Sequence, residues 1–450
     1  MKFSIHCLGV MTMDYLAIMN EFPIPNSKMR TSSMEMHGGG NAANVVFHLI
    51  QMMREKIPTI MMDNEDQYTT NKPNKVQLEF IEIALISKIG NDVVGKAIYE
   101  EFAQLQCHHD DSVERTTIDL NLNNIVKSPS AQSAFSFIMI TPNKQSGNDR
   151  TIINTPLSEE FSFSELTQQQ KHANIDILFL DGRYSSVAIS YVNTHTPKYV
   201  MMECERMRPT LELNTFLELI TKSHSLFLSE NFPMEYLNYV TQLDRHDSLN
   251  TWINQCISQD GYDARLISMH LLFSQLSCNN VEVPTFITCT LGSKGSIGMI
   301  LHKEEEHSLE APHIKTMEQL IQDKSSSQSD KFPQTTLSTF SLSGPSGENF
   351  QYALIYCTSH NDSKFPNIVD TTGAGDAFNA GMVFCMSRFL METTHRKEQR
   401  KTPTLTIYEL GKALKFANIS AFYTCTGVGA RGAGIDHEKA EKLWNELEMM

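Results

Sequence analysis

Short apolar runs alternate with stretches in which apolar residues return every three or four positions, and the alternation persists along most of the chain. The runs at residues 3–10, 83–89, 134–140, 150–154, 175–180, 199–203, 226–228 and 297–301, with another from 286, read as strands, being short and bounded largely by Gly, Pro, Asn, Asp or Ser. Helical spacing is found at 95–105, up to 193, after Pro209, at 378–390 and at 410–423. Val45, Val46, Leu49, Ile50 and Met53 mark a further helix that begins at the glycines 38–40. Strand and helix in alternation predict one α/β domain built on a mainly parallel sheet covered on both faces. Residues 18–36 read as two short strands around Pro23 and Pro25, too polar for the middle of a sheet. Three polar stretches break the pattern. Residues 54–75 read as an insertion loop; 302–347, with Glu304-Glu305-Glu306 and Ser325-Ser326-Ser327, as a disordered or loosely held insertion; and 391–403 as a basic loop.

The 450 residues, 41% hydrophobic and 20% charged, have the composition of an ordinary globular protein with ample length for a buried core. A net charge of −15 disfavours nucleic acid and anionic membrane as partners, because both need a positive face. A phosphorylated cosubstrate would then be held locally, by backbone amides and a metal. Nine scattered cysteines without a CxxC suggest neither a disulfide framework nor a zinc site, which points to a reducing, cytoplasmic location. The first residues are too short and interrupted an apolar run for a secretory signal, and no run of 18 apolar residues predicts a membrane span.

The most specific stretch is Asp370-Thr371-Thr372-Gly373-Ala374-Gly375-Asp376, a glycine-rich turn that runs straight into an apolar helix. Gly373 and Gly375 leave backbone N–H groups uncovered at a helix start, where unpaired donors and the positive dipole end favour an anion. Asp376 follows at once, so a carboxylate able to take a proton faces a place that stabilises negative charge. A helix N-terminus with an acidic first turn has the same local look, but G-A-G-D with a second Asp at fixed spacing is rare by chance.

Other candidates gather around that turn. Asp14 follows the first strand, at the edge where parallel sheets bind ligands, although a turn aspartate reads the same way. In His37-Gly38-Gly39-Gly40-Asn41-Ala42-Ala43-Asn44 the glycines allow close backbone approach, and Asn41 and Asn44, three apart, offer donors and acceptors to a polyol. Glu203 and Glu205 lie on one side of a strand end, able to orient a hydrated Mg2+ through its waters. Arg150 suits either a phosphate or a surface ion pair. Thr290-Leu291-Gly292-Ser293-Lys294-Gly295 is too short for a Walker loop and also reads as a plain hairpin turn. His108-His109-Asp110-Asp111 lacks metal-ligand spacing. Gly427-Val428-Gly429-Ala430-Arg431-Gly432 matches G-x-G-x-x-G but follows a helix, so no βαβ unit surrounds it.

DTTGAGDAFNAG resembles the C-terminal signature of the ribokinase-like (PfkB) sugar kinases, and GGGNAANV resembles their first signature. Within that family the chain is most similar to the ketohexokinases, which NDRTII around Arg150 also resembles. The resemblance runs from about residue 3 to 434, outside insertions near 54–80, 302–350 and 391–404. It implies a three-layer αβα sandwich with a mainly parallel sheet and a small β-strand lid, near 15–37, that closes over the sugar and often makes a homodimer contact. It also implies transfer of the ATP γ-phosphoryl group to a hydroxyl of a ketohexose such as fructose. Asp376 would be the general base and the amides of Gly373, Ala374 and Gly375 the anion hole. Asp14, Gly39, Gly40, Asn41, Asn44 and Arg150 would hold the sugar. Thr290, Gly292, Ser293, Lys294 and Gly295 would hold the nucleotide, with Asn418 on a helix that lines the adenine pocket or, equally, the edge of the core. Mg2+ would lie near Glu203 and Glu205, and Asp370 and Thr372 stand where relatives bind a monovalent cation such as K+. The same letters fit a kinase for ribose, another sugar or a nucleoside, and a silent binding protein of this fold. Asn231 and Glu235 are four apart where many members have N-x-x-E, which departs from the pattern.

Overall fold

The computed structural model describes residues 2–54, 80–106, 117–143, 147–166, 174–243, 247–276, 285–301, 311–322, 332–344, 347–361, 368–395 and 405–449. The chain opens with strands β1 (Lys2–Leu8), β2 (Thr12–Ile18) and β3 (Ser33–Gly39), then helix α1 (Asn41–Met53). Next come β4 (Phe80–Gly90), α2 (Val93–Gln106), β5 (Thr117–Asn121), β6 (Ile125–Ser128), β7 (Phe135–Asn143) and β8 (Gly147–Thr155). The middle alternates β9 (Ile177–Leu180), α3 (Ser185–His195), β10 (Tyr199–Cys204), α4 (Thr210–Lys222) and β11 (Ser225–Leu228), followed by α5 (Phe232–Gln242), α6 (Asp247–Ser258) and α7 (Ala264–Gln275). Last are β12 (Phe286–Thr290), β13 (Ser296–Leu301), α8 (Met317–Gln322), β14 (Thr335–Ser343), β15 (Asn349–Cys357), α9 (Ala374–His395), α10 (Ile407–Thr424) and α11 (His437–Glu448).

The main sheet has the order β14-β15-β13-β12-β11-β10-β9-β1-β4-β5, with β6 also paired to β4. From β12 to β5 the pairs are parallel, and β13, β15 and β14 add an antiparallel edge. Strand residues divide by alternation between two cores. Ile177, Phe179, Tyr199 and Met201 pack with α1, α2, α9, α10 and α11, whereas Leu178, Leu180, Val200 and Met202 pack with α3 to α7. That is the expected three-layer α/β architecture. Leu8 is level with both Ile86 and Leu180, so β1, β4 and β9 deliver their carboxyl ends to one edge. The strand order reverses at β1, the kind of crevice where open α/β sheets bind ligands.

The lid is a second sheet, β3-β2-β7-β8. Two of its strands, β2 and β3, lie on either side of the prolines, β2 ending at Ile18 and β3 beginning at Ser33, and β7 and β8 come from much later in the chain. Pro23 and Pro25 fall in the connection, where a residue without an N–H breaks no ladder, and the buried β2 lies between β3 and β7. The reading of 302–347 as loosely held also fails over its described residues. Residues 335–343 form β14, whose Ser338, Phe340 and Leu342 are buried in alternation, while Met317 and Leu320 bury one side of α8. Serine and threonine at six of the nine positions, the buried Ser338 among them, hid that period. At 391 the helix does not stop, because α9 continues to His395. Most of the 54–80 stretch, His108-His109-Asp110-Asp111 and residues 396–404 lie outside the described residues. Among those described, no helix is long and apolar enough to cross a membrane, and all seven cysteines are free and buried.

Candidate active site

The glycine-rich turn is held by its own aspartate. Asp370 Oδ1 accepts from the amide and hydroxyl of Thr372 at 2.9 and 2.7 Å, and Oδ2 accepts from the amide of Gly429 at 2.9 Å. Gly373 has φ 75°, a left-handed conformation that favours glycine, and a Cβ there would press on Ala430. The chain then enters α9 with the Gly373 carbonyl accepting from Ala377 N at 2.9 Å and the Ala374 amide donating to the Thr371 carbonyl at 3.3 Å, so the Gly375 and Asp376 amides are left at the helix end. A Cβ built on Gly375 meets no atom within 4 Å. The space beside Gly375 is open, which suits the approach of an anion to the helix end.

Asp376, in the first turn of α9, is buried, and its Oδ2 accepts from Asn44 Nδ2 at 2.7 Å. Burial pushes its carboxyl up to about 7; the Asn44 bond opposes this, and the carboxylates of Glu205, Asp181 and Asp14 add to it. Asp14 is buried on β2, where Thr12 Oγ1 donates to it at 3.2 Å; burial raises its carboxyl as well. Gly39 is placed so close that a Cβ would overlap the Asp14 carboxylate, which accounts for a glycine at the end of β3. Asn41 Nδ2 donates to Glu203 Oε2 at 3.0 Å, while burial, followed by Asp376, lifts Glu203 well above the usual carboxylate range. For Glu205 burial acts in the same direction, but the Arg183 guanidinium at 2.6 Å overcomes it and lowers the pKa. The two asparagines of the first signature thus reach two different carboxylates, one on α9 and one at the end of β10.

The remaining candidates lie around this centre. Arg150 reaches from the lid strand β8 to donate to Thr372 Oγ1 at 3.2 Å, beside the anion cradle. The residues 290–295 form the β12–β13 hairpin turn, with the Lys294 carbonyl accepting from Tyr356 OH at 2.7 Å. Asn418 Nδ2 donates to the carbonyls of Cys357 and Thr358 at 3.3 and 3.2 Å, so its donors tie α10 to the end of β15. Glu235 accepts from Met207 N at 2.8 Å, a backbone contact of the loop after β10. Among the described residues no group of three or more His, Cys, Asp or Glu could enclose a metal directly.

Two residues of the site were not singled out from the sequence. Asp181, after β9, accepts from Val10 N at 2.7 Å and Ala42 N at 3.4 Å, joining the ends of β1 and β9 to the start of α1. An aspartate ending a fully apolar parallel strand was the available signal. Arg431 donates to Asn44 Oδ1, Glu101 Oε2 and the Gly39 carbonyl. Its place in the turn at residues 427–432, which matches G-x-G-x-x-G without a βαβ unit, gives no local sign of these partners.

No protein-family model matches the chain, and no curated protein does. Solved structures do match along almost the whole length, and they show a ribokinase-like fold. Ribokinase from Cryptococcus neoformans var. grubii in complex with ADP aligns with a TM-score of 0.56 and 13% identity, over 98% of this chain and 99% of that one. Ribokinase from Thermotoga maritima aligns at 0.54 and 14%, again over 98% and 99%. Arabidopsis thaliana ribokinase complexed with ribose and ATP aligns at 0.53 and 15%, over 99% of each chain.

Proposed function

We propose that this chain is an ATP-dependent sugar kinase that passes the γ-phosphoryl group to a hydroxyl of a ketohexose such as fructose. One observation carries the reading: a buried carboxylate, Asp376, raised to about 7, stands one residue beyond an open backbone cradle at a helix start. The ribokinase-like fold supports it, since solved structures with that fold hold ADP, or ribose and ATP. Ketohexose as the acceptor rests on the resemblance of the NDRTII and glycine-rich signatures.

In the proposed reaction Asp376 takes the proton of the attacking hydroxyl, and the amides of Gly373, Ala374, Gly375 and Asp376 stabilise the developing negative charge. Asp14, Gly39, Gly40, Asn41 and Asn44 orient the sugar, and Arg150 adds positive charge beside the cradle. Thr290, Gly292, Ser293, Lys294 and Gly295 offer backbone and side-chain groups to the nucleotide. Asn418 shapes that side from behind, through its bonds to Cys357 and Thr358. Mg2+ held through its waters by Glu203 and Glu205 would share Glu205 with Arg183 and draw on a Glu203 that burial keeps protonated, and the metal would neutralise the phosphates when bound. A monovalent cation at Asp370 and Thr372 fits less well, because that carboxylate already accepts three hydrogen bonds and Arg150 brings its own charge to the turn. We further propose a cytoplasmic homodimer joined through the lid, where Met34, Met36, Ile152 and Ile153 are exposed.

A nucleoside kinase from Methanocaldococcus jannaschii matches with a TM-score of 0.54, so ribose and nucleosides belong beside fructose in the test. ATP consumption is measured with Mg2+ against fructose, ribose and adenosine, with and without K+. Turnover on fructose that falls by orders of magnitude in Asp376→Asn, with little change in sugar affinity, is the expected result. Turnover on another acceptor alone moves the substrate, and a near-normal rate in the variant removes the base.

A further inference from the structure

Arg431 lies in the small-residue turn after α10, buried against the ring faces of Phe102 and Phe47 at 4.8 and 5.7 Å. Its guanidinium donates to three elements at once: Nε to Asn44 Oδ1 of α1 at 2.9 Å, Nη1 to Glu101 Oε2 of α2 at 2.6 Å, and Nη2 to the Gly39 carbonyl of lid strand β3 at 2.9 Å. Guanidinium has no acceptor, so the amide oxygen of Asn44 has to face it. The amide nitrogen is then left facing Asp376, to which it donates at 2.7 Å. If the amide flipped, oxygen would meet carboxylate on one side and nitrogen would meet guanidinium on the other.

We propose that Arg431 is a positioning residue for the reaction: it locks the Asn44 amide so that its nitrogen is always presented to Asp376, and it fastens lid strand β3 to that same amide. This rests on the reading of Asp376 as the base. The charged groups that act on that carboxylate are Asp14 of β2, Asp181 after β9, and Glu203 and Glu205 at and just after the end of β10. Against that acidic surround, a donor whose direction cannot reverse is what favours the charged base. The lid strand crosses the Arg431–Glu101 pair at Gly38, where a Cβ would overlap both side chains. Lid position and base orientation therefore share one guanidinium.

The test reads Asp376 directly, by titrating protein carrying 13C-labelled aspartate carboxyls; its resonance is the one missing from Asp376→Asn. Arg431→Met is expected to raise the Asp376 titration by about one unit, a tenfold change in proton affinity. The acid limb of kcat/KM should move with it. In an Asn44→Ala background the same substitution should move the titration no further, because the effect passes through the amide. An unchanged titration in folded Arg431→Met overturns the proposal, and so does a shift that persists without Asn44, which would be the direct effect of removing a charge. Should Arg431→Met not fold, Arg431→Gln serves, since a neutral amide can accept as well as donate and no longer dictates the flip. The titration needs no turnover, so silence of the wild type on every acceptor would count against the kinase reading alone.

Discussion

Asp376 combines the properties a base needs with a cost to the fold. Its carboxyl titrates near 7 when folded, above its ordinary value of 3.8, so the folded protein holds a proton that the unfolded chain releases. Stability from this group is therefore lost as pH rises through that window, from about 4 to about 7. Asp376→Asn removes the penalty, and the variant should be more stable than the wild type at pH 8 by up to ~4 kcal/mol, with the gap closing near pH 3. Urea midpoints at the two pH values measure it; a variant less stable at pH 8 would mean that the charge is fully compensated in place. The sign for activity is opposite. The base works only when ionised, so kcat/KM should fall about tenfold per unit below pH 7 and level off above it.

Elements place these residues by close approach, and single atoms test that placement. Gly39→Ala puts a methyl group into the Asp14 carboxylate, so either β3 or Asp14 has to move. The expected outcome is a raised KM for the acceptor with the KM for ATP nearly unchanged; equal effects on both would mean that the strand carries no sugar contact. At an edge of the main sheet, Phe340 of β14 is fully buried beside Tyr352 of β15, so Phe340→Ala should cost ~3–5 kcal/mol in chemical denaturation. A loss below about 1 kcal/mol, the range of surface changes, would return this segment to the loosely held insertion that its serines and threonines suggest.

Among the described residues of the whole molecule, the lid carries a group of exposed large apolar side chains. Met36 is 63% exposed on the edge strand β3, and Ile152 and Ile153 are about half exposed on β8 at the opposite edge. If two lids meet in a homodimer, Met36→Glu should halve the mass seen by light scattering at micromolar concentration, because an unpaired carboxylate in an apolar contact is costly. A wild type that is already monomeric would rule out that contact. The −15 net charge works in the same direction as the buried carboxylates, keeping anions away except where the cradle amides and Arg150 oppose it.

The local periods determined most strands and helices before any coordinates, because burying alternate residues of a parallel strand on two faces leaves a continuous apolar run, and covering helices repeat every three to four residues. Glycine placement did the same for the two signature turns, since what Gly39 and Gly373 permit is a local property of the backbone. Tertiary structure alone decided which carboxylate each asparagine meets: Asn41 and Asn44 are one helical turn apart, yet they face Glu203 and Asp376, 162 and 332 residues away. It also showed the donors of Asn418 engaged with the end of β15, turned β14 from a polar stretch into a buried edge of the sheet, and gave Arg431 its three partners. Contacts across such separations leave no period in the chain, since they depend on where the sheet edge brings distant turns together.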